Sequence, residues 1–188
     1  MRSVPGSRRH PHFGRTELEE WMSAAGIGYR WEPELGGFRR PVAGSPNAAL
    51  RHPSFRGYAD YMATDVFDRA LDRLLDEASR LVVAAMCAET LWWRCHRRLI
   101  ADAVTLLHGT EVCHLGHEGR LSVHRLTDGV RVEGQHLIYD AGQPRLGPTT
   151  TQLDERPGPA EPTLPGDRTR SFHLRQTLQD GRLGRCHT

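Results

Sequence analysis

The chain has 188 residues, enough for one ordinary domain with length left over for a tail. Its hydrophobic fraction of 38% is low for a chain that is globular throughout, so the core is expected in only part of it. A formal charge of +2 is too near neutral to require a nucleic-acid partner by itself, and no apolar run approaches the roughly 20 residues of a membrane span. The amino terminus carries charges but no following apolar stretch, so no secretory signal is expected there. The four cysteines, Cys87, Cys95, Cys113 and Cys186, are too sparse for a disulfide scaffold. A soluble, cytoplasmic protein with reduced thiols is expected.

Charge is unevenly spread: the arginines at positions 2, 8, 9 and 15 open the chain before any acid appears. Such a start attracts anions or forms a solvated arm. Thr16-Glu-Leu-Glu19 has the form of a capping box. Leu18, Trp21, Met22 and Ala25 behind it share a helical face, and Gly26 supplies a left-handed stop. Residues 27–31 read as a short strand. From 34 to 54, Gly, Pro, Asn and Arg predict a long loop, and loops of that length are usually functional or mobile.

The clearest periodicity follows. Phe67, Ala70, Leu71, Leu74, Leu75 and Ala78 form an apolar stripe, capped by Thr64 or Asp65. Leu81-Val-Val-Ala-Ala-Met86 is apolar at every position and fits a strand buried on both faces, as parallel sheets require. A helix from about 94 to 107 ends at Gly109, and residues 111–115 suggest another parallel strand. This alternation predicts an α/β fold: a three-layer, mostly parallel sheet flanked by helices, over residues 1–116. Residues 117–140 read as a peripheral extension, with a hairpin around Asp128-Gly129. From 141 to 188 the chain has too few large apolar residues to offset its ordering entropy, so a disordered tail is expected.

In open α/β sheets, ligands bind beyond the carboxyl ends of the strands, and Cys87 follows such an end. Cys87, Glu89, Cys95 and His96 are therefore candidate catalytic residues. A thiol beside a helix start, Arg and His tends to a lowered pKa and nucleophilic character, with Glu89 orienting His96 or acting as a base. Three other readings stay open. Cys87 can be a small core residue. Cys87, Cys95 and His96 can bind zinc, with Cys113 or His114 as fourth ligand, although the spacing matches no standard structural site. A redox dithiol is also conceivable, but Cys-x-x-Cys is absent.

For an anionic small molecule or nucleic acid, the candidate binding residues are Arg2, Ser7, Arg8, Arg9, Arg56, Tyr58, Arg94 and Arg97, because guanidinium groups pair bidentately with oxyanions. Arg56 and Tyr58 lie in Phe55-Arg-Gly-Tyr-Ala-Asp-Tyr61, which reads equally well as a helix entry whose tyrosines pack inward. These features suggest a cysteine-dependent enzyme on a phosphate-bearing substrate. The alternatives are a non-catalytic phosphate or nucleic-acid binding module and a zinc-stabilised domain.

Several motifs together resemble the "domain of unknown function 488" family. They are Ser-Val-Pro-Gly-Ser-Arg-Arg-His-Pro-His-Phe (3–13), Gly-Ile-Gly-Tyr (26–29), Glu-Leu-Gly-Gly (34–37), Phe-Arg-Gly-Tyr-Ala-Asp-Tyr-Met (55–62), Met-Cys-Ala-Glu (86–89), Trp-Arg-Cys-His-Arg (93–97) and Leu-Ile-Ala-Asp (99–102). They stand in the family's order across roughly residues 2–116. The resemblance implies an amino-terminal strand, helix and second strand before Met1, so the chain is expected to be a fragment or to have a late start. It implies no settled activity.

Overall fold

The structure is a computed structural model that describes residue 6 and residues 10–142. Arg2, Ser7, Arg8 and Arg9 lie outside the described residues, as does the expected tail apart from Ala141 and Gly142. After a 3-10 turn at Pro11–Phe13 come four helices: α1 (Arg15–Ala24), α2 (Pro53–Tyr61), α3 (Asp65–Ala78) and α4 (Arg97–His108). A second 3-10 turn, Trp92–Arg94, precedes α4. Four short strands follow: β1 (Cys113–Leu115), β2 (Leu121–Val123), β3 (Val130–Glu133) and β4 (His136–Tyr139).

Local chemistry accounts for several helix ends. Thr64 caps α3, its hydroxyl accepting from the Phe67 amide, and Asp65 and Asp68 favour that positive helix end. Helix α2 begins at Pro53, where the missing amide costs nothing. Gly109, at φ 62°, ends α4 in the left-handed conformation. The expected capping box does not form. Helix α1 starts at Arg15 behind Gly14, which leaves Thr16 inside the first turn, and only Leu18 on α1 is buried.

The core joins α2, α3, α4 and β4, with Tyr58, Phe67, Leu71, Leu99 and Tyr139 at its centre. Leu35 and Leu50 enter it from the long loop, whose course is held by Asp60. That carboxylate accepts from the Val42 amide (2.9 Å), the Ser45 hydroxyl (2.6 Å) and the Asn47 side-chain amide (2.8 Å). Asn47 in turn accepts from the Tyr139 amide at 3.0 Å, tying loop to strand. Gly57 lets residues 39–41 cross α2: a Cβ there would meet the Arg39 carbonyl at 2.4 Å.

Among the described residues the expected three-layer parallel sheet does not form. The described residues hold two small antiparallel sheets, β1 with β2 and β3 with β4. Residues 111–115 contribute the antiparallel strand β1, not a parallel one. Residues 27–31 and 81–86 form no strand, and Leu81, Val82, Val83 and Met86 are exposed. An all-apolar run becomes a buried strand only where other strands take its amides and carbonyls, and among the described residues none pairs with 81–87. The hairpin also turns elsewhere. Glu133 faces His136 across Gly134-Gln135, so Asp128-Gly129 only leads into β3. Among the described residues, no helix is long and apolar enough to cross a membrane.

One buried carboxylate fastens residues 124–139 to α4. Asp102 is wholly buried and accepts from His124 Nε2 (2.9 Å), the Thr127 amide (2.9 Å) and the Tyr139 hydroxyl (3.0 Å). Replacing it leaves three donors without an acceptor, two of them buried, and each buried loss costs about 1–3 kcal/mol. Asp102→Ala is therefore expected to lower unfolding free energy by about 3 kcal/mol or more in urea titrations. A loss under about 0.5 kcal/mol, the size of an ordinary surface change, would contradict this role.

Candidate thiol site

His96, the residue just before α4, is almost fully buried, and its place is moulded by backbone and rings. The Tyr58 ring lies 4.9 Å away, centroid to centroid. Gly37 closes in from the long loop, where a Cβ would sit 2.6 Å from His96 Nδ1. Only a residue without a side chain fits there, which explains Gly37 in the Glu-Leu-Gly-Gly segment.

Held this way, His96 Nδ1 faces two free thiols, Cys95 Sγ at 3.5 Å and Cys87 Sγ at 3.9 Å. The three donor atoms lie within 4.8 Å of one another. His96 Nε2 is buried and has no hydrogen-bond partner. The arrangement is best satisfied with the proton on Nδ1, donated towards sulfur; this tautomer is assigned from its partners.

The two thiols hold one negative charge between them, and it rests on Cys87, the less buried sulfur. A hydrogen bond from the Cys95 thiol, a second from His96 and a third from the Glu89 amide outweigh partial burial and bring Cys87 down to about 3. The same bond, together with desolvation, pushes the Cys95 thiol well up. Cys95 therefore serves as a proton donor to its neighbour. Arg97 braces it: its amide and Nε reach Cys95 Sγ at 3.5 and 3.4 Å, and its guanidinium also donates to the Glu89 carbonyl.

A cleft of about 360 Å³ opens over Cys95 and His96, lined also by Phe38, Glu89, Trp93 and Arg94. Phe38 is held at φ 74°, which a side chain seldom adopts, and is 89% exposed at the rim. The structure thus brings together Cys87, Cys95, His96, Glu89 and Arg97, and the cleft adds Arg94; Cys87 and Arg97 themselves do not line it. It separates others. Tyr58 is fully buried with its hydroxyl donating to the Leu35 carbonyl, so it supports His96 and does not face the cleft. Arg56 does not line the cleft either. Glu89 does not hydrogen-bond to His96, whose Nδ1 is taken by sulfur and whose Nε2 has no partner. The helix-start position falls to Cys95, immediately before the His96 cap, and not to Cys87.

Cys87, Cys95 and His96 can hold a metal ion: two thiols and an imidazole converge, leaving one coordination position open. His114 does not join them. Its Nε2 donates to His124 Nδ1 (2.9 Å), and its ring stacks on Trp92 at 3.8 Å between centroids. That stack braces the turn carrying Trp93 and Arg94. Sequence reasoning missed Gly37, Asp102 and His124, although Gly-Gly in a loop and an aspartate within an apolar helical stretch were visible signals.

A half-buried low-pKa thiol on a small mixed helix-and-strand domain is the class of site present. Residues 1–104 match the sequence model of "Domain of unknown function DUF488", and the chain belongs to that family. No curated protein and no solved structure matches it.

The thiolate has a direct chemical signature. An ordinary thiol loses about tenfold in alkylation rate per pH unit below its pKa near 8.5. With Cys87 at about 3, its reaction with iodoacetamide is expected to stay flat from about pH 9 down to about pH 5, read by mass spectrometry of the modified peptide. In Gly37→Ala, which crowds His96, the rate is expected to regain a pH dependence. A Cys87 rate that climbs through pH 8–9 in the unaltered protein would refute the assignment.

Proposed function

We propose that this protein carries out cysteine-dependent chemistry on an anionic, phosphate-bearing substrate, with Cys87 as the nucleophile. The observation that carries this reading is the convergence of Cys87 Sγ, Cys95 Sγ and His96 Nδ1 within 4.8 Å, an arrangement that lowers the Cys87 pKa. In a purely structural role, a half-buried thiol gains nothing from a neighbouring thiol and imidazole aimed at it. Cys95 and His96 are the proton donors that hold and can return a proton to sulfur or to a leaving group. Glu89 lines the cleft with its carboxylate in the exposed layer and is the candidate acid or base for substrate. Arg94 stands on the same wall and supplies the cation for an oxyanion. Arg97 already holds Cys95, so its role is to position the thiol pair.

A second reading rests on the same three donors. Two thiols, an imidazole and one open position match the ligand number of a catalytic zinc, which would supply Lewis acidity there. A non-catalytic binding module would use the arginines without needing the thiols.

Substrate-site protection separates these readings. Inorganic pyrophosphate and adenosine monophosphate are expected to slow iodoacetamide labelling of Cys87 severalfold, while uncharged adenosine does not. Arg94→Ala is expected to remove the protection without altering the basal labelling rate. Stoichiometric zinc in the purified protein, with labelling that appears only after chelation, would favour the metal reading. Labelling unaffected by either phosphate compound would sink the anionic-substrate proposal.

A further inference from the structure

A second groove, of about 460 Å³, runs beside the thiol cleft and shares His52, Phe55 and Trp93 with it. Its size falls in the ~300–1,000 Å³ range of sites that enclose organic ligands. Two kinds of surface line it. One is aromatic: Trp93, half exposed, and Phe55. The other is cationic: Arg51, Arg98 and Arg125 against a single acid, Asp128.

Several arginines of the molecule are already neutralised by acids. Arg30, Arg73, Arg80 and Arg131 all pair with carboxylates within 4 Å. Among the described residues, Arg51, Arg98 and Arg125 have no such partner. Arg98 is also fixed in place: its guanidinium lies 4.5 Å over the Phe55 ring and donates to the Trp93 carbonyl at 3.3 Å. Its Nε is buried without any acceptor. A rigid, half-buried cation with an unmet donor beside an open aromatic face is poorly explained as surface solvation.

We propose that this groove binds single-stranded nucleic acid, with a base stacked on Trp93 and adjacent phosphates on Arg51, Arg98 and Arg125. A polynucleotide combines flat, stackable rings with monoanionic phosphates, and the groove combines the half-exposed Trp93 ring with three guanidinium groups. An acidic peptide would satisfy the arginines but leave the Trp93 face without a planar partner. Duplex DNA keeps its bases stacked inside and offers no ring to Trp93. This inference deepens the functional reading above by naming the class of substrate that would reach the thiol cleft across their shared wall.

Fluorescence anisotropy with the full chain and a labelled oligothymidylate of about ten nucleotides tests it, since single-strand sites commonly span about 4–16. Saturable binding is expected, with a log–log salt slope near −2 from three phosphate contacts at about −0.7 each. Trp93→Ala is expected to weaken binding by about tenfold or more. Arg51→Gln and Arg125→Gln, both exposed and expected to fold normally, should each flatten the slope by about 0.7. The inference is overturned by absence of saturable binding, or by Trp93→Ala binding as tightly as the unaltered chain. Equal competition by duplex DNA, polyglutamate or thymidine monophosphate overturns it too. Because binding is read without any thiol chemistry, a reactive Cys87 with no strand binding refutes the groove alone. Strand binding with an inert Cys87 refutes the chemistry alone.

Discussion

A carboxylate sealed from water needs donors on every side, and Asp102 finds three of them beyond its own helix. His124, Thr127 and Tyr139 lie in the last third of the described chain, so satisfying this one charge fixes where that third packs. The consequence reaches the thiol site. His124 accepts from His114, His114 stacks on Trp92, and Trp92 opens the short turn that carries Trp93 and Arg94. The helix that holds Asp102 is the one whose start presents Cys95 and His96. Buried polarity and the candidate chemistry are therefore linked by one element, α4, and one braced turn.

From the other side the site depends on the long loop. Asp60 gathers residues 42–47, Gly57 lets the preceding stretch pass over α2, and Gly37 brings backbone against His96. The imidazole is thereby wedged between a glycine and the Tyr58 ring with one nitrogen aimed at sulfur. Such packing removes the freedom that would let His96 rotate away from the thiols. It also explains why a loop that lacks helix and strand is well packed, with Leu35 and Leu50 in the core.

Much of this was legible in the sequence where chemistry is local. Thr64 before an apolar stripe located α3, Gly109 located the end of α4, and Cys87, Cys95 and His96, close in sequence, converge in space. The family assignment followed from several short motifs standing in order. What failed was non-local. Leu81–Met86 reads as a buried strand because its composition speaks of burial, but composition does not say which strands lie alongside, and here the segment is exposed. Tyr58 reads equally well as ligand-facing or as packing inward, and its hydroxyl, donating to the Leu35 carbonyl, decides for packing. The partners of Asp102 are up to 37 positions away, which no periodicity reveals. Turn chemistry misled once, because Asp128-Gly129 and Gly134-Gln135 are both plausible hairpin tips and cross-strand register decides between them.

The central claim is that a single thiolate resides on Cys87 while the Cys95 thiol stays protonated. Ultraviolet thiolate absorption at about pH 6, compared between the unaltered protein and Cys87→Ser, measures it directly. The account predicts one thiolate's worth of absorbance in the unaltered protein, lost in Cys87→Ser. Indistinguishable spectra would mean that the sulfur is an ordinary protonated thiol, and the chemistry built on it would fall.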